Sequence, residues 1–155
     1  MSDPSPSPSG TPSASAGAEA VEALQLTLAA EHAAVFVYAA LGAQTSRSAA
    51  PTLYRRITAA YRLHRTRRDQ LDAMLRDAGA EPDPAAPGYA LPADLSTTRL
   101  VTARARRLEQ DAARTYAYLV ARSTGPARTW AVTALLDAAT RGLGFGGRPE
   151  DFPGR

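Results

Sequence analysis

Cysteine is absent from the sequence, which removes disulfides, zinc–thiolate sites and thiol catalysis together. It fits a reducing compartment, and the expectation is a cytoplasmic protein. Lysine is absent too: all 18 basic residues are arginine. With the abundant alanine, this usage reflects a GC-rich genome rather than a function. Only two histidines are present, so nucleophilic catalysis has no obvious cast. No apolar run is expected to approach the roughly 20 residues of a membrane span. Residues 1–17 are mostly Ser, Pro, Gly and Ala, without a basic start or an apolar core, so they do not read as a signal peptide. No strand pattern, internal repeat or phosphate loop appears; the glycines of 142–147 follow a helix and read as a helix stop.

What is present is helical periodicity. At 155 residues the chain fits one domain, large enough to fold without a metal staple. Residues 1–17 are expected to be a disordered tail, 18–143 a four-helix bundle and 144–155 an irregular tail. A first helix is predicted from about residue 19 to 44, with Leu24, Leu28, Glu31, Val35 and Tyr38 on one stripe. A second is predicted over 52–78, between Pro51 and Gly79. Its stripe is Leu53, Ile57, Ala60, His64, Arg67, Leu71, Met74 and Ala78. A third starts near Ser96 or Thr97, either of which can cap it, and ends near Ser123. Its apolar positions include Val101, Ala105, Leu108, Ala112, Leu119 and Val120. A fourth follows Gly125 and Pro126 to about Leu143, carrying Trp130, Val132, Leu135, Leu136 and Ala139.

The connections carry topology. The first and third are short, so each joins an antiparallel pair. The middle one, residues 79–95, contains Pro82, Pro84, Pro87 and Pro92. Extended, it reaches about 55 Å, against about 40 Å for a helix of this length. It can therefore run the length of the bundle, with Tyr89, Leu91 and Leu95 as anchors. The expected architecture is all-α, a four-helix bundle with one long crossover between the second and third helices, the connectivity of ferritin-like proteins.

Polar residues fall at mid-depth on each helix: Glu31, His64, Glu109 and Asp137. Ferritin-like carboxylate proteins place metal ligands there, including Glu-x-x-His pairs whose i, i+3 spacing gives both ligands one helix face. Here the residue three before His64 is Tyr61, and the fourth helix has neither Glu nor His. Around these positions the sequence resembles an uncharacterised ferritin-like family of GC-rich bacteria, a domain of unknown function. The resemblance rests on residues 28–38 (LAAEHAAVFVY), 64–69 (HRTRRD), 89–92 (YALP), Glu109 and 152–154 (FPG). It implies the ferritin-like fold and brings no activity.

A buried carboxylate needs a partner. Arg67, one turn from His64, offers a guanidinium, so Glu31, His64, Arg67 and Glu109, with Asp137 nearby, are read as a metal-free polar core network in a degenerate di-iron site. No cofactor is expected and no catalytic residue is assigned. The alternative is an iron- or manganese-binding oxidoreductase using Glu31, His64 and Glu109. If Glu31 faces inward, His32 faces away. The expected partner is a second copy of the chain, as a homodimer through a helix face, with no membrane. Nucleic acid or another acidic partner is the lesser alternative. Residues 52–78 and 97–122 each carry net +4, and Arg55, Arg62, Arg65, Arg104 and Arg107 could form one basic face. Interleaved acids at i, i+4 spacing, such as Asp72 with Arg76, favour an ordinary solvated surface instead.

Overall fold

The computed structural model describes residues 12–91 and 94–155. Four helices form in order: α1 (Pro12–Ala43), α2 (Pro51–Asp77), α3 (Thr98–Arg122) and α4 (Gly125–Gly144). There is no strand among the described residues.

α1 starts at Pro12, well ahead of the expected residue 19. The expectation of a disordered tail is corrected for 12–17; residues 1–11 lie outside the described residues, as does Pro92. The reason is cooperativity. Extending an existing helix adds one hydrogen bond per residue fixed, whereas nucleation is the costly step. Proline is tolerated in the first turn, where its missing N–H has no helical partner in any case.

A second correction concerns apolar length. Ser15–Ala43 is long and apolar enough, by length and composition, to cross a membrane. Beyond the exposed Glu19 and Glu22, its outward face is rich in alanine, exposed at Ala29 and Ala39, and carries no further charge. Its inward face is the bundle core: Leu24, Leu28, Val37, Tyr38 and Leu41 are buried, with Glu31 among them.

The apolar clusters give the chain direction. One groups Val37, Leu41, Ile57, Val101 and Phe145. A second groups Leu24, Leu28, Leu71, Leu75, Leu119 and Ala131, and a third, Ala112, Ala113, Tyr116, Ala134 and Ala138, lies between α3 and α4. The end of α1 therefore meets the starts of α2 and α3, while the start of α1 meets their ends. α2 and α3 run parallel, and the segment between them returns along the whole bundle. Its course is pinned on α1. Gln25 donates to the Glu81 carbonyl at 2.7 Å and accepts from the Asp83 N–H at 3.0 Å. Farther along, the Phe36 and Tyr89 rings lie 5.5 Å apart, and Leu95 packs on the first cluster. This is the single-crossover bundle.

Local signals set the boundaries. Gly79 adopts φ +75° just past α2, with Ala80 N–H bonded to the Leu75 carbonyl and Gly79 N–H to that of Arg76, both at 2.9 Å. This pair of bonds is a Schellman closure, whose left-handed residue favours glycine. Thr97, rather than Ser96, caps α3, its hydroxyl accepting from Leu100 N–H at 3.2 Å.

The packing departs from expectation at three places. In α2 it is Leu75 that is buried, while Met74 is half-buried and Ala78 exposed. Val35 of α1 is likewise half-buried. In α4 the buried face is Ala131, Ala134, Ala138 and Gly142, and the expected core residues Val132 and Leu136 are exposed. Small side chains let α4 sit close on α3: a Cβ placed on Gly142 would lie 3.8 Å from Glu109 Cβ.

Candidate functional site

Between the first two apolar clusters lies a polar layer to which every helix contributes. Glu31 and Tyr38 come from α1, His64 and Arg67 from α2, Glu109 and Tyr116 from α3, Asp137 and Arg141 from α4. Glu31, His64 and Glu109 are essentially without solvent exposure. His64 stands between the carboxylates, its Nδ1 2.7 Å from Glu31 Oε2 and its Nε2 3.4 Å from Glu109 Oε1. Doubly protonated, the ring donates to both.

Two tyrosines close the layer reciprocally. Tyr38 donates to Glu109 Oε1 at 2.5 Å, and Tyr116 donates to Glu31 Oε1. Each tyrosine lies seven residues after a glutamate on its own helix, two turns along the same face. Because α1 and α3 are antiparallel, each hydroxyl arrives at the other helix's carboxylate. The Tyr38 ring also stacks on His64, centroids 5.2 Å apart. Burial, then the neighbouring carboxylate, Glu109 for Tyr38 and Glu31 for Tyr116, holds both hydroxyls well above the ordinary phenol range. They remain donors.

The expected pairing of Arg67 with Glu31 is corrected. Arg67 Nη2 bonds Asp137 Oδ2 at 2.6 Å, and its Nη1 donates to the Tyr116 hydroxyl at 3.3 Å. It reaches Glu31 only through that tyrosine. Asp137 also accepts from Arg141 at 2.6 Å, and Arg141 Nε lies 3.6 Å from Glu109 Oε1. Burial opposes the charge on Asp137, but Arg141 and then Arg67 outweigh it and hold its carboxyl below the usual range. Tyr38, Tyr116 and Arg141 were not assigned to the site from sequence. The repeated seven-residue spacing from Glu to Tyr is the signal that identifies the two tyrosines.

Tyr61, where a ligand glutamate would stand, is half-buried against the first cluster with Arg65 over its ring at 5.6 Å. His32 is half-buried outside the layer.

The layer balances its charge. Glu31, Glu109 and Asp137 face Arg67, Arg141 and a protonated His64. Burial alone would lower the His64 pKa, but its bonds to Glu109 and Glu31 outweigh that and raise it from 6.5 to about 9. A group whose pKa rises on folding stabilises the fold fully below its unfolded pKa and loses that contribution as pH climbs through the folded value. The shift from 6.5 to about 9 is worth about 3 kcal/mol. Urea unfolding of the wild type is expected to lose about that much between pH 6.5 and 9.5. The profile of His64→Gln is expected to be nearly flat over the same window, and an equally steep variant would contradict the assignment.

Over residues 23–155 the sequence matches the family described as a domain of unknown function (DUF4439). The fold is similar to the crystal structure of a conserved hypothetical protein from Mycobacterium tuberculosis. The two are 30% identical with a TM-score of 0.76, and the match covers 84% of this chain and 90% of that one. No curated protein matches the sequence.

Proposed function

We propose, for a chain that belongs to the DUF4439 family, a non-catalytic bundle of ferritin-like descent that works by binding or assembly, its metal level refitted as an ion network. The single-crossover connectivity supports the ferritin-like relationship. One observation carries the rest: two guanidinium groups stand within the carboxylate layer itself. Arg67 and Arg141 both bond Asp137, and His64 carries the third positive charge between the glutamates.

The donor set does not fit iron or manganese. Both Glu31 oxygens are engaged, by His64 and Tyr116. Glu109 Oε1 is shared by Tyr38 and His64, leaving only Glu109 Oε2 unpartnered. A cation there would meet one free oxygen of the two glutamates and the repulsion of fixed arginines. Among the described residues no group of three His, Asp or Glu is arranged to hold an ion.

Elemental analysis of protein purified without chelators tests this reading. The expected result is iron and manganese well below one ion per chain, and the same trace amount in Glu31→Ala. Stoichiometric metal that disappears in Glu31→Ala would instead establish the oxidoreductase alternative.

A further inference from the structure

The two ends of the bundle differ sharply in charge. The half of the bundle that runs from the polar layer to the α1–α2 turn, with the starts of α2 and α3 and the finish of α4, takes in residues 32–63, 94–106 and 138–148. These segments hold nine arginines and a single acid, Asp94, with Glu150 bordering them beside Arg106 and Arg148, in a chain whose net charge is only +3. The opposite half mixes signs: residues 68–83 hold two arginines and five acids. Most of its surface arginines are paired, Arg68 with Asp69, Arg76 with Asp72 and Arg122 with Glu19, while Arg128 bonds the Val120 carbonyl. At the basic end Arg47, Arg55, Arg62 and Arg99 are exposed, and none has a carboxylate within ion-pair distance among the described residues. The basic face weighed as an alternative from sequence is thus rearranged. Arg107 is paired with Asp111 and Arg65 lies over Tyr61, while Arg47 and Arg99 join Arg55 and Arg62.

Two further features converge on the same end. Both α2 and α3 begin there, with no acid in either first turn, and the α2 cap, Ala50, has no side chain to cover its N–H groups. Helix starts carry partial positive charge and open donors. The surrounding surface is hydroxylic, with Ser46, Ser48, Thr52, Ser96 and Thr98 exposed. The turn and the first turns of α2 and α3 carry no exposed large apolar side chain, and in the segments named above Phe36 and Leu143 are the two that are exposed.

We propose that this end docks the phosphate backbone of nucleic acid without reading its sequence. Arginines, hydroxyls and helix N-termini are the groups that make backbone contacts, and the guanidinium fork matches phosphate oxygens. Helices spaced 8–10 Å apart make the end about 20 Å across. A duplex carries one charge per about 1.7 Å of axis, so a face of that width lies over a dense row of phosphates. A lipid surface is the poorer match, because interfacial binding draws on apolar side chains to insert. The inference does not depend on the metal-free reading of the core.

The test is fluorescence anisotropy of a labelled duplex of about 20 base pairs with the full chain. If about six phosphates are neutralised, affinity is expected to fall by roughly three orders of magnitude between about 50 and 200 mM salt. The combined variant Arg47→Glu, Arg55→Glu and Arg99→Glu is expected to lose at least about 100-fold at the lower salt. Arg122→Glu with Arg128→Glu, at the opposite end, is expected to change affinity about threefold or less. All five side chains are exposed, and unchanged thermal melting verifies that each variant folds. Three results would overturn the proposal: no binding at the lower salt, equal losses in both variants, or binding to vesicles of anionic lipid but not to the duplex.

Discussion

Replacing His64 with alanine is expected to destabilise the fold by about 4–5 kcal/mol, the largest effect of any single substitution in the polar layer. His64 is the one cation between Glu31 and Glu109, bonded to both and fully buried. Its removal leaves two carboxylates facing a void, with only the tyrosine hydroxyls and Arg141, 3.6 Å from Glu109, to offset them. One carboxylate must then take up a proton or draw in water, and the lost packing against the Tyr38 ring adds a cavity term. Against a total of about 5–15 kcal/mol for a domain, such a loss brings the protein close to unfolding at 37 °C. Urea denaturation measures it directly. Adding Glu109→Gln should recover part of the loss, since the second change removes a charge the first left uncompensated. Recovery of nothing would mean that the alanine variant fails through packing alone.

Arg67→Ala follows, with an expected cost of about 3 kcal/mol. The guanidinium is nearly buried and holds Asp137 at 2.6 Å. Its loss leaves three acids facing two cations and deprives the Tyr116 hydroxyl of a donor. The effect lies at the low end of the range for broken buried pairs for a specific reason. The Asp137 side chain is 41% exposed and keeps Arg141 at 2.6 Å, so water and a second arginine soften the change. Asp137→Asn in the same background should restore charge balance and some stability. A near-neutral Arg67→Ala would show that the positive charge is dispensable and would remove the main physical objection to a cation at this level.

The architecture was legible because it depends on quantities a sequence displays. Two short connections flank one long proline-rich segment, and the apolar stripes of α1, α2 and α3 recur at helical spacing. α4 was misread because large apolar residues outweighed alanine in that reading. Whether Leu136 or Ala138 faces inward depends on how closely α3 approaches, which no local pattern records. The start of α1 was misplaced because a composition typical of a tail also suits a helix extended from a docked segment.

The site divides along the same line. Glu31, His64 and Glu109 were placed by depth alone, since helices of similar length carry their midpoints to a common level. The partner of Arg67 was not, because a long side chain reaches across helices and its choice between Glu31 and Asp137 turns on lateral position. Asp137 and Arg141, one helical turn apart, form a pair on which Arg67 converges. Tyr38 and Tyr116 read as ordinary core aromatics until the antiparallel pairing of α1 and α3 brings each hydroxyl to the opposite glutamate.

The alanine and glycine face of α4 bears on how this scaffold can be re-engineered. A carboxylate introduced at Ala134 or Ala138 would have to enter a seam fitted to methyl groups, and overpacking such a seam costs about 1–3 kcal/mol before any metal arrives. Installing a ligand on this helix therefore requires lifting it away from α3, which in turn pulls Asp137 and Arg141 from their partners. The seam acts as a lock: no one-step replacement on α4 can convert this interior into an open coordination sphere, and a designer would have to rebuild both helices at once.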